Sequence, residues 1–323
     1  MARISKDILL AKATLDANEL VAIPTETVYG LAANGTSLVA LKKIYKTKGR
    51  PSNNPLILHF KNADDLTPFI SKVTSEIALL ATHFWPGPLT LLLPKSDRVP
   101  KMVTAGSDRV AVRVPNHALT LKLLQTLDYP LAAPSANLSG YISPTQPSHV
   151  QKQLGSKIGL ILDGGSCKRG IESTILGWEN DLPIIYRKGV ITSEEIGQIL
   201  GRIPKFKNKV DVLEASGMSS SHYAPNTKTL VVENIHESVS YHASQKIGLI
   251  VFNEKTGLKV ESEIVLSPKS SLKEMAQKLY ASMHQLDSMG MDVIIIQKAP
   301  EEGIGVAIND RLQRSAYKYM TTK

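Results

Sequence analysis

In Val21-Ala22-Ile23-Pro24-Thr25-Glu26-Thr27-Val28-Tyr29-Gly30-Leu31, a short apolar run meets a proline and then a cluster of hydroxyls. Val21–Ile23 has the length and branching of a buried strand, and Pro24 stops it. A turn rich in threonine follows, ahead of a helix region. Hydroxyls at a strand end can hold a small polar ligand, or can bond their own turn. Working outward, Asp7–Leu20 carries Leu10, Ala13, Ala17 and Leu20 near helical spacing, and Ser37–Lys46 is a second helix. Leu56–Phe60 is a strand, and Ser75–Phe84 is a helix ended by Trp85-Pro86-Gly87-Pro88. Leu89–Leu93, Val110–Val114, Leu131–Ala133, Leu160–Leu162, Ser173–Leu176 and Ile184–Arg187 are further short strands. Helices alternating with strands and hairpin-like returns predict one twisted mixed sheet.

The pattern changes over Gly201–Thr227, which holds Pro204, a lysine-rich stretch, Ser216-Gly217-Met218-Ser219-Ser220-Ser221 and Pro225. Its length exceeds an ordinary connection, so a functional linker is expected. Thr229–Glu233, Ile247–Phe252, Ile264–Ser267 and Asp292–Gln297 then alternate with helices over Leu272–Leu286 and Val306–Tyr319. That rhythm predicts a small parallel α/β unit. With 323 residues and 42% hydrophobic content, two domains are the natural expectation. No apolar run is long enough to cross a bilayer as a helix, and the first residues lack a signal-peptide core. A soluble, cytoplasmic protein is expected. The lone cysteine, Cys167, fits a reducing compartment and reads as a small packing residue, although Lys168 and Arg169 beside it could lower its pKa.

Charge is uneven. Residues 1–205 hold 24 Lys and Arg against 16 Asp and Glu, while the remainder is nearly balanced at 14 against 13. A basic first domain points to a polyanion, whether nucleotide or nucleic acid. Phosphate-loop, zinc-protease, C-x-x-C and G-x-S-x-G patterns are absent, which argues against those chemistries. Lys48-Gly49-Arg50-Pro51 puts two cations two residues apart; on an extended loop both would face one side. Arg109 and Arg113 share one face if Val110–Val114 is a strand, and arginine grips carboxylates and phosphates bidentately. Pro134-Ser135-Ala136-Asn137 is a tight turn at a strand's carboxyl end. Glu172-Ser173-Thr174-Ile175 and Tyr186-Arg187-Lys188-Gly189 complete a set of polar strand ends.

Taken together, Pro24–Leu31, Lys48-x-Arg50-Pro51 with Asn54-Pro55-Leu56, Trp85-Pro86-Gly87-Pro88-Leu89-Thr90, Val112-Arg113-Val114-Pro115, Pro134-Ser135-Ala136-Asn137, Gly170-x-Glu172-Ser173-Thr174-Ile175 and Arg187-x-Gly189 resemble, in order, the YrdC/Sua5 family. Ser216-Gly217-Met218 with His222-Tyr223-Ala224-Pro225, and the α/β tail, resemble its two-domain Sua5 branch. The resemblance implies an α/β architecture: a YrdC-like twisted mixed sheet with flanking helices over residues 1–203, a linker and lid over 204–227, and a small parallel Rossmann-like domain over 228–323. Members of the family make threonylcarbamoyl-AMP from L-threonine, bicarbonate and ATP, releasing pyrophosphate. The product feeds N6-threonylcarbamoyladenosine formation at position 37 of tRNA, so tRNA and the downstream transfer machinery are implied partners.

By the same resemblance, Thr27, His59, Arg113, the Ala133 backbone and Ser173 would contact L-threonine. Lys48, Arg50, Asn54, Arg109, Ser135, Asn137, Ser143, Arg187 and Tyr223 would contact ATP, with Lys48, Arg50, Ser135 and Asn137 closest to the chemistry. Lys188 stands where the family often has proline. Mg²⁺ is expected with ATP, held mainly by phosphates and water. Glu26 and Asp163 are conceivable outer ligands, but capping or ion-pair roles suit them better. A bare RNA-binding module is disfavoured by 5% aromatic content and the lack of any RNA-module signature. The related hydrogenase-maturation enzymes carry extra segments that this chain lacks.

Overall fold

The structure, a computed structural model, describes residues 1–207 and 223–320. Ser216, Gly217 and His222, and with them most of the expected lid, lie outside the described residues. Eleven strands build the first sheet. In chain order they are β1 (Arg3–Ser5), β2 (Val21–Ile23), β3 (Gly30–Asn34), β4 (Ile57–His59), β5 (Leu89–Pro94), β6 (Arg109–Arg113), β7 (Leu131–Ala132), β8 (Leu160–Leu162), β9 (Thr174–Glu179), β10 (Leu182–Arg187) and β11 (Lys205–Phe206). Their order across the sheet is β1-β8-β2-β3-β7-β4-β6-β5-β9-β10-β11. The sheet is mixed: β2 and β3 run antiparallel, whereas β4 and β6 run parallel with His59 opposite Arg113.

Local chemistry accounts for the helices. In α1 (Ile8–Asp16), the Asp7 carboxylate accepts from Leu10 N at 3.0 Å. Asn18 takes a left-handed conformation, φ 58°, so the helix ends before the expected Leu20. Ser37 caps α2 (Leu38–Lys48), and Gly49 closes it at φ 61°. This corrects one expectation. Lys48 is the last helical residue, not part of an extended loop, so Lys48 and Arg50 do not share a side through strand periodicity. A second correction concerns the threonine turn. It is followed at once by β3, which is buried and paired on both edges, with β2 and β7. In Gly30–Asn34, sheet pairing overrides the helix preference of Ala32 and Ala33. The helix α3 (Ser75–Phe84) has the expected bounds, with Thr74 as its cap.

Three more helices, α4 (Ala118–Gln125), α5 (Pro147–Leu154) and α6 (Ser193–Leu200), complete the flanks of the first sheet. The second sheet is all parallel. Its strands β12 (Lys228–Val232), β13 (Ile247–Val251), β14 (Ser262–Val265) and β15 (Val293–Gln297) take the order β12-β15-β13-β14. Helices α7 (Ile235–Tyr241), α8 (Leu272–Ser288) and α9 (Gly305–Met320) accompany them. The predicted α8 stripe is real: Met275, Ala276, Leu279, Met283 and Leu286 are buried. The mixed sheet followed by a small parallel α/β unit is the architecture expected from the sequence.

The two sheets share an apolar cluster in which Val28, Ile142 and Ile171 pack with Met275, Leu279 and Met283. Polar contacts reinforce that seam. The Tyr141 hydroxyl donates to Asp287, His284 Nε2 meets Ser143 O at 3.2 Å, and His149 stacks on His284 with ring centroids 4.0 Å apart. Gly170 permits this approach: a Cβ there would stand 2.2 Å from Ala276 O, and its φ is 77°. The stretch expected as linker is tied down at both described ends. Lys205–Phe206 pairs with β10, and Ala224 N donates to Gly140 O at 2.9 Å.

Candidate active site

Most of the polar strand ends converge on one pocket. The threonine turn after β2 supplies Thr25 and Thr27, the ends of β4 and β6 supply His59 and Arg113, and the turn after β7 supplies Ala133 and Ser135. Ser173 and Glu172 enter just before β9, Arg187 ends β10, and Tyr223 closes the wall. The walls surround about 450 Å³ of atom-free space, part of it open to solvent.

Arg113 organises one side. Its Nη2 pairs with Glu26 Oε1 at 2.6 Å, Nη1 donates to Thr27 Oγ1 at 3.1 Å, and Nε donates to Gly87 O at 3.1 Å. Glu26 also accepts from Asn116 N at 3.0 Å. The Thr25 and Thr27 hydroxyls lie 2.8 Å apart, and Thr25 donates to Val28 O at 2.6 Å. His59 Nδ1 donates to Ile57 O at 3.2 Å. Burial, with the Arg113 charge nearby, pulls the His59 pKa down to about 3, so its ring is neutral at neutral pH. On the opposite side, Arg187 donates to Ser173 O at 3.0 Å and to Ser173 Oγ at 2.9 Å, and Ser173 Oγ also lies 2.8 Å from Thr90 Oγ1. A Cβ at Gly189 would stand 2.3 Å from Thr174 N, so only glycine lets the chain after Arg187 lie this close to β9.

An adjoining layer holds buried cations. Lys48 Nζ donates to Ser135 O and Asn137 O, both at 2.5 Å, and reaches Asn137 Oδ1 at 3.3 Å. Ser135 Oγ donates to Asn137 Oδ1, while Asn137 Nδ2 anchors the turn on Tyr141 O at 2.7 Å. Arg50 donates to Asn54 Oδ1 at 2.5 Å and to Pro55 O at 2.8 Å. Burial and the neighbouring Arg50 hold the Lys48 pKa well below its ordinary value. Burial lowers that of Arg50 to about 10; Tyr45 and Tyr223 oppose this shift, and Arg187 adds to it. Among the described residues, Lys48 meets carbonyl oxygens and no carboxylate. The Ser135–Asn137 turn thus meets the three donors of Lys48.

Two residues assigned to ATP by resemblance stand elsewhere. Arg109, at the start of β6, donates to the Tyr186 hydroxyl at 2.7 Å with its guanidinium over that ring, and it does not line the pocket. Ser143 Oγ is turned onto Glu172 Oε1 at 2.7 Å, behind the wall. In the sequence Glu172 stands out only as part of the Glu172-Ser173-Thr174 motif. It proves to be a buried hub, accepting also from the Tyr280 hydroxyl at 3.1 Å and Arg311 Nε at 2.7 Å. Tyr280 and Arg311 carry no sequence signal toward the site, because both sit on helices of the second unit. Cys167 is packed in the core, and burial pushes its thiol up to about 12. Among the described residues no cluster of three or more His, Cys, Asp or Glu could hold a metal. Glu26 is engaged by Arg113, and Asp163 Oδ1 accepts from Gly165 N at 3.0 Å.

Fold and site together define a class: an α/β protein that joins a small pocket, lined by hydroxyls and guanidinium, to a layer of buried cations. Residues 13–189 match the family model described as telomere recombination (Sua5, YciO, YrdC), and residues 191–317 match the C-terminal domain of threonylcarbamoyl-AMP synthase. The chain therefore belongs to the Sua5/YciO/YrdC family, in its form with the Sua5 C-terminal domain. It is 38% identical to the threonylcarbamoyl-AMP synthase of Pyrococcus abyssi, covering 96% of this chain and 94% of the relative. It is 40% identical to the Bacillus subtilis protein of the same name, covering 96% and 92%. The crystal structure of P. abyssi Sua5 complexed with L-threonine superposes with a TM-score of 0.91 at 36% identity, covering 98% of each chain. E. coli YciO, 21% identical with a TM-score of 0.54, shares the fold over 61% of this chain. No helix among the described residues is long and apolar enough to cross a membrane.

Proposed function

We propose that this protein is an enzyme that makes L-threonylcarbamoyladenylate from L-threonine, bicarbonate and ATP, the first step of N6-threonylcarbamoyladenosine formation in tRNA. The observation that carries this reading is the juxtaposition of two sites: the pocket walled by Arg113, Thr27, His59 and Ser173, and the buried Lys48 and Arg50 layer beside it. The named relatives and the threonine-complexed P. abyssi structure support the same reading.

In this mechanism the threonine carboxylate accepts from Arg113, whose guanidinium is already oriented by Glu26 and Gly87 O. Thr27 and Ser173 offer hydroxyls to the amine and side chain. The amine nitrogen bonds to the carbon of CO₂ and loses a proton to give a carbamate; starting from bicarbonate, the C–OH bond breaks and the hydroxyl leaves as water with the amine's proton. A carbamate oxygen attacks the α-phosphorus of ATP, the bond from that phosphorus to the bridging oxygen breaks, and pyrophosphate leaves. Lys48, Arg50 and Arg187 offset the phosphate charge, while Ser135, Asn137, Asn54 and the Tyr223 ring shape the nucleotide's place. Such catalysis needs orientation and charge stabilisation and no protein nucleophile. Any Mg²⁺ enters as part of the nucleotide substrate, and no step is routed through it. A cytoplasmic setting supplies all three substrates and the tRNA machinery that consumes the product.

The test is mass spectrometry of the reaction mixture. An AMP-linked threonylcarbamoyl product is expected only when ATP, threonine and bicarbonate are all present. ATP cleavage at full rate without threonine would overturn the reading.

A further inference from the structure

Glu172 is a wall residue of a pocket whose other lining is neutral or cationic, and a carboxylate so near is an electrostatic problem for a site proposed to take phosphates. The answer comes from the other domain. Arg311, on α9 and fully buried, pairs with Glu172 Oε2 at 2.7 Å. Its Nη2 donates to Lys188 O at 2.6 Å, in the residue after Arg187. Its guanidinium lies over the Tyr223 ring, 5.1 Å from the centroid, and that ring stacks on Tyr280 at 5.7 Å. One side chain from the second domain thus touches Glu172 and the chain after Arg187 in the first domain, and Tyr223 in the linker stretch. Ser143 and Tyr280 complete the set of donors around Glu172. Burial pushes the Glu172 carboxyl up, but Arg311 and Arg187 outweigh it and hold the group ionised.

We infer that Arg311 is a positioning residue for catalysis: it neutralises Glu172 from across the domain interface and holds it against the wall, so that Glu172 neither repels the triphosphate nor pairs with Arg187. The inference rests on the proposed adenylation and gives the second domain an electrostatic part in it. Without Arg311, the Glu172 carboxylate in the pocket wall is left under-compensated, with only the Arg187 charge beside it. Removing one partner of a buried pair leaves such a charge, whereas replacing both partners by neutral groups does not.

The experiment uses the full chain and compares Arg311→Met, Glu172→Gln and the double variant, with steady-state KM and kcat for ATP and for threonine and a thermal midpoint for each. Wild-type synthesis of the adenylate tests the underlying reading first and separately. Given that activity, Arg311→Met is expected to raise the ATP KM by roughly tenfold or more, the size of a lost charge-assisted interaction, with a smaller change in the threonine KM. The double variant is expected to recover most of that loss. An unchanged ATP KM in Arg311→Met overturns the inference, as does a loss in kcat alone. Where Arg311→Met does not fold, the double variant decides: recovery of folding and of ATP KM supports the inference. A double variant that folds but keeps a tenfold raised KM, or that fails to fold, overturns it.

Discussion

Two buried arginine–glutamate pairs flank the pocket, and they are built from the same chemistry for different ends. Arg113–Glu26 lies within the first domain, with side chains 4% and 5% exposed; Arg311–Glu172 crosses the interface, at 0% and 6%. In the first pair the arginine lines the pocket and the glutamate stands behind it, held by Asn116 N. In the second the glutamate lines the pocket and the arginine stands behind it, held by Lys188 O. Both pairs are almost fully buried, so exposure does not distinguish them. What differs is which charge meets the ligand. A cation in front offers an amino-acid carboxylate a bidentate partner, and a carboxylate in front must be silenced before phosphates can approach.

Substituting the front arginine is expected to give the largest single change. Arg113→Lys keeps the charge but loses the fork that serves Thr27, Gly87 O and Glu26 together. Threonine affinity should fall about tenfold or more, for a loss of roughly 1.5–3 kcal/mol in charged hydrogen bonding, while ATP affinity falls much less. Calorimetric titration of both ligands checks this. Equal losses for threonine and ATP would erase the contrast with Arg311, whose removal is expected to act on ATP.

Acid should separate the two regions more gently. His59 lies in the pocket, and His149 and His284 at the seam; burial lowers their pKa values to about 3, about 4 and about 3 from 6.5. Each folded value is depressed, so below pH 6.5 the unfolded chain binds more protons than the folded one. Their stabilising contribution is complete above pH 6.5 and is lost as pH falls from there toward 3. Thermal midpoints at pH 7 and pH 5 should show the decline, and His149→Phe should flatten part of it. Equal midpoints at the two pH values would mean that these rings are not buried neutral.

The smallest effect is expected at Cys167, close to Glu26 but part of neither pair. Its thiol is buried and raised to about 12, so the folded chain at pH 8 should alkylate far more slowly than an exposed cysteine. Cys167→Ala should cost about 1 kcal/mol in denaturant unfolding, with product formation retained. Rapid alkylation of the folded chain would show that the core around Cys167 opens readily.

Much of this was legible from residue order. Val21–Ile23 followed by Pro24 marks a strand end, and the α8 stripe marks a buried helix face, because both signals are local and periodic. Lys48 shows the limit of that reasoning. Its helix runs two residues past the expected end at Lys46, to the left-handed Gly49, so a helix stands where the sequence predicts a loop. β3 was missed because Gly30–Asn34 has no strand composition; its neighbours β2 and β7 make it a strand.

The sequence alone determined most of the strands and helices, the change of rhythm after residue 200, and the polar groups at strand ends, since propensity, periodicity and chain-breaking residues act over a few positions. Tertiary structure decided which of those groups share a pocket. Arg113 enters it while Arg109, four residues earlier on the same strand, turns to Tyr186; Ser173 enters it while Ser143 turns to Glu172. Only the docking of the second domain brings Arg311 against Glu172, 139 residues away in the chain. The reason is physical. A contact between distant residues depends on how whole elements pack and on which buried charges must be neutralised there, and no local pattern around Arg311 or Glu172 encodes the other's position.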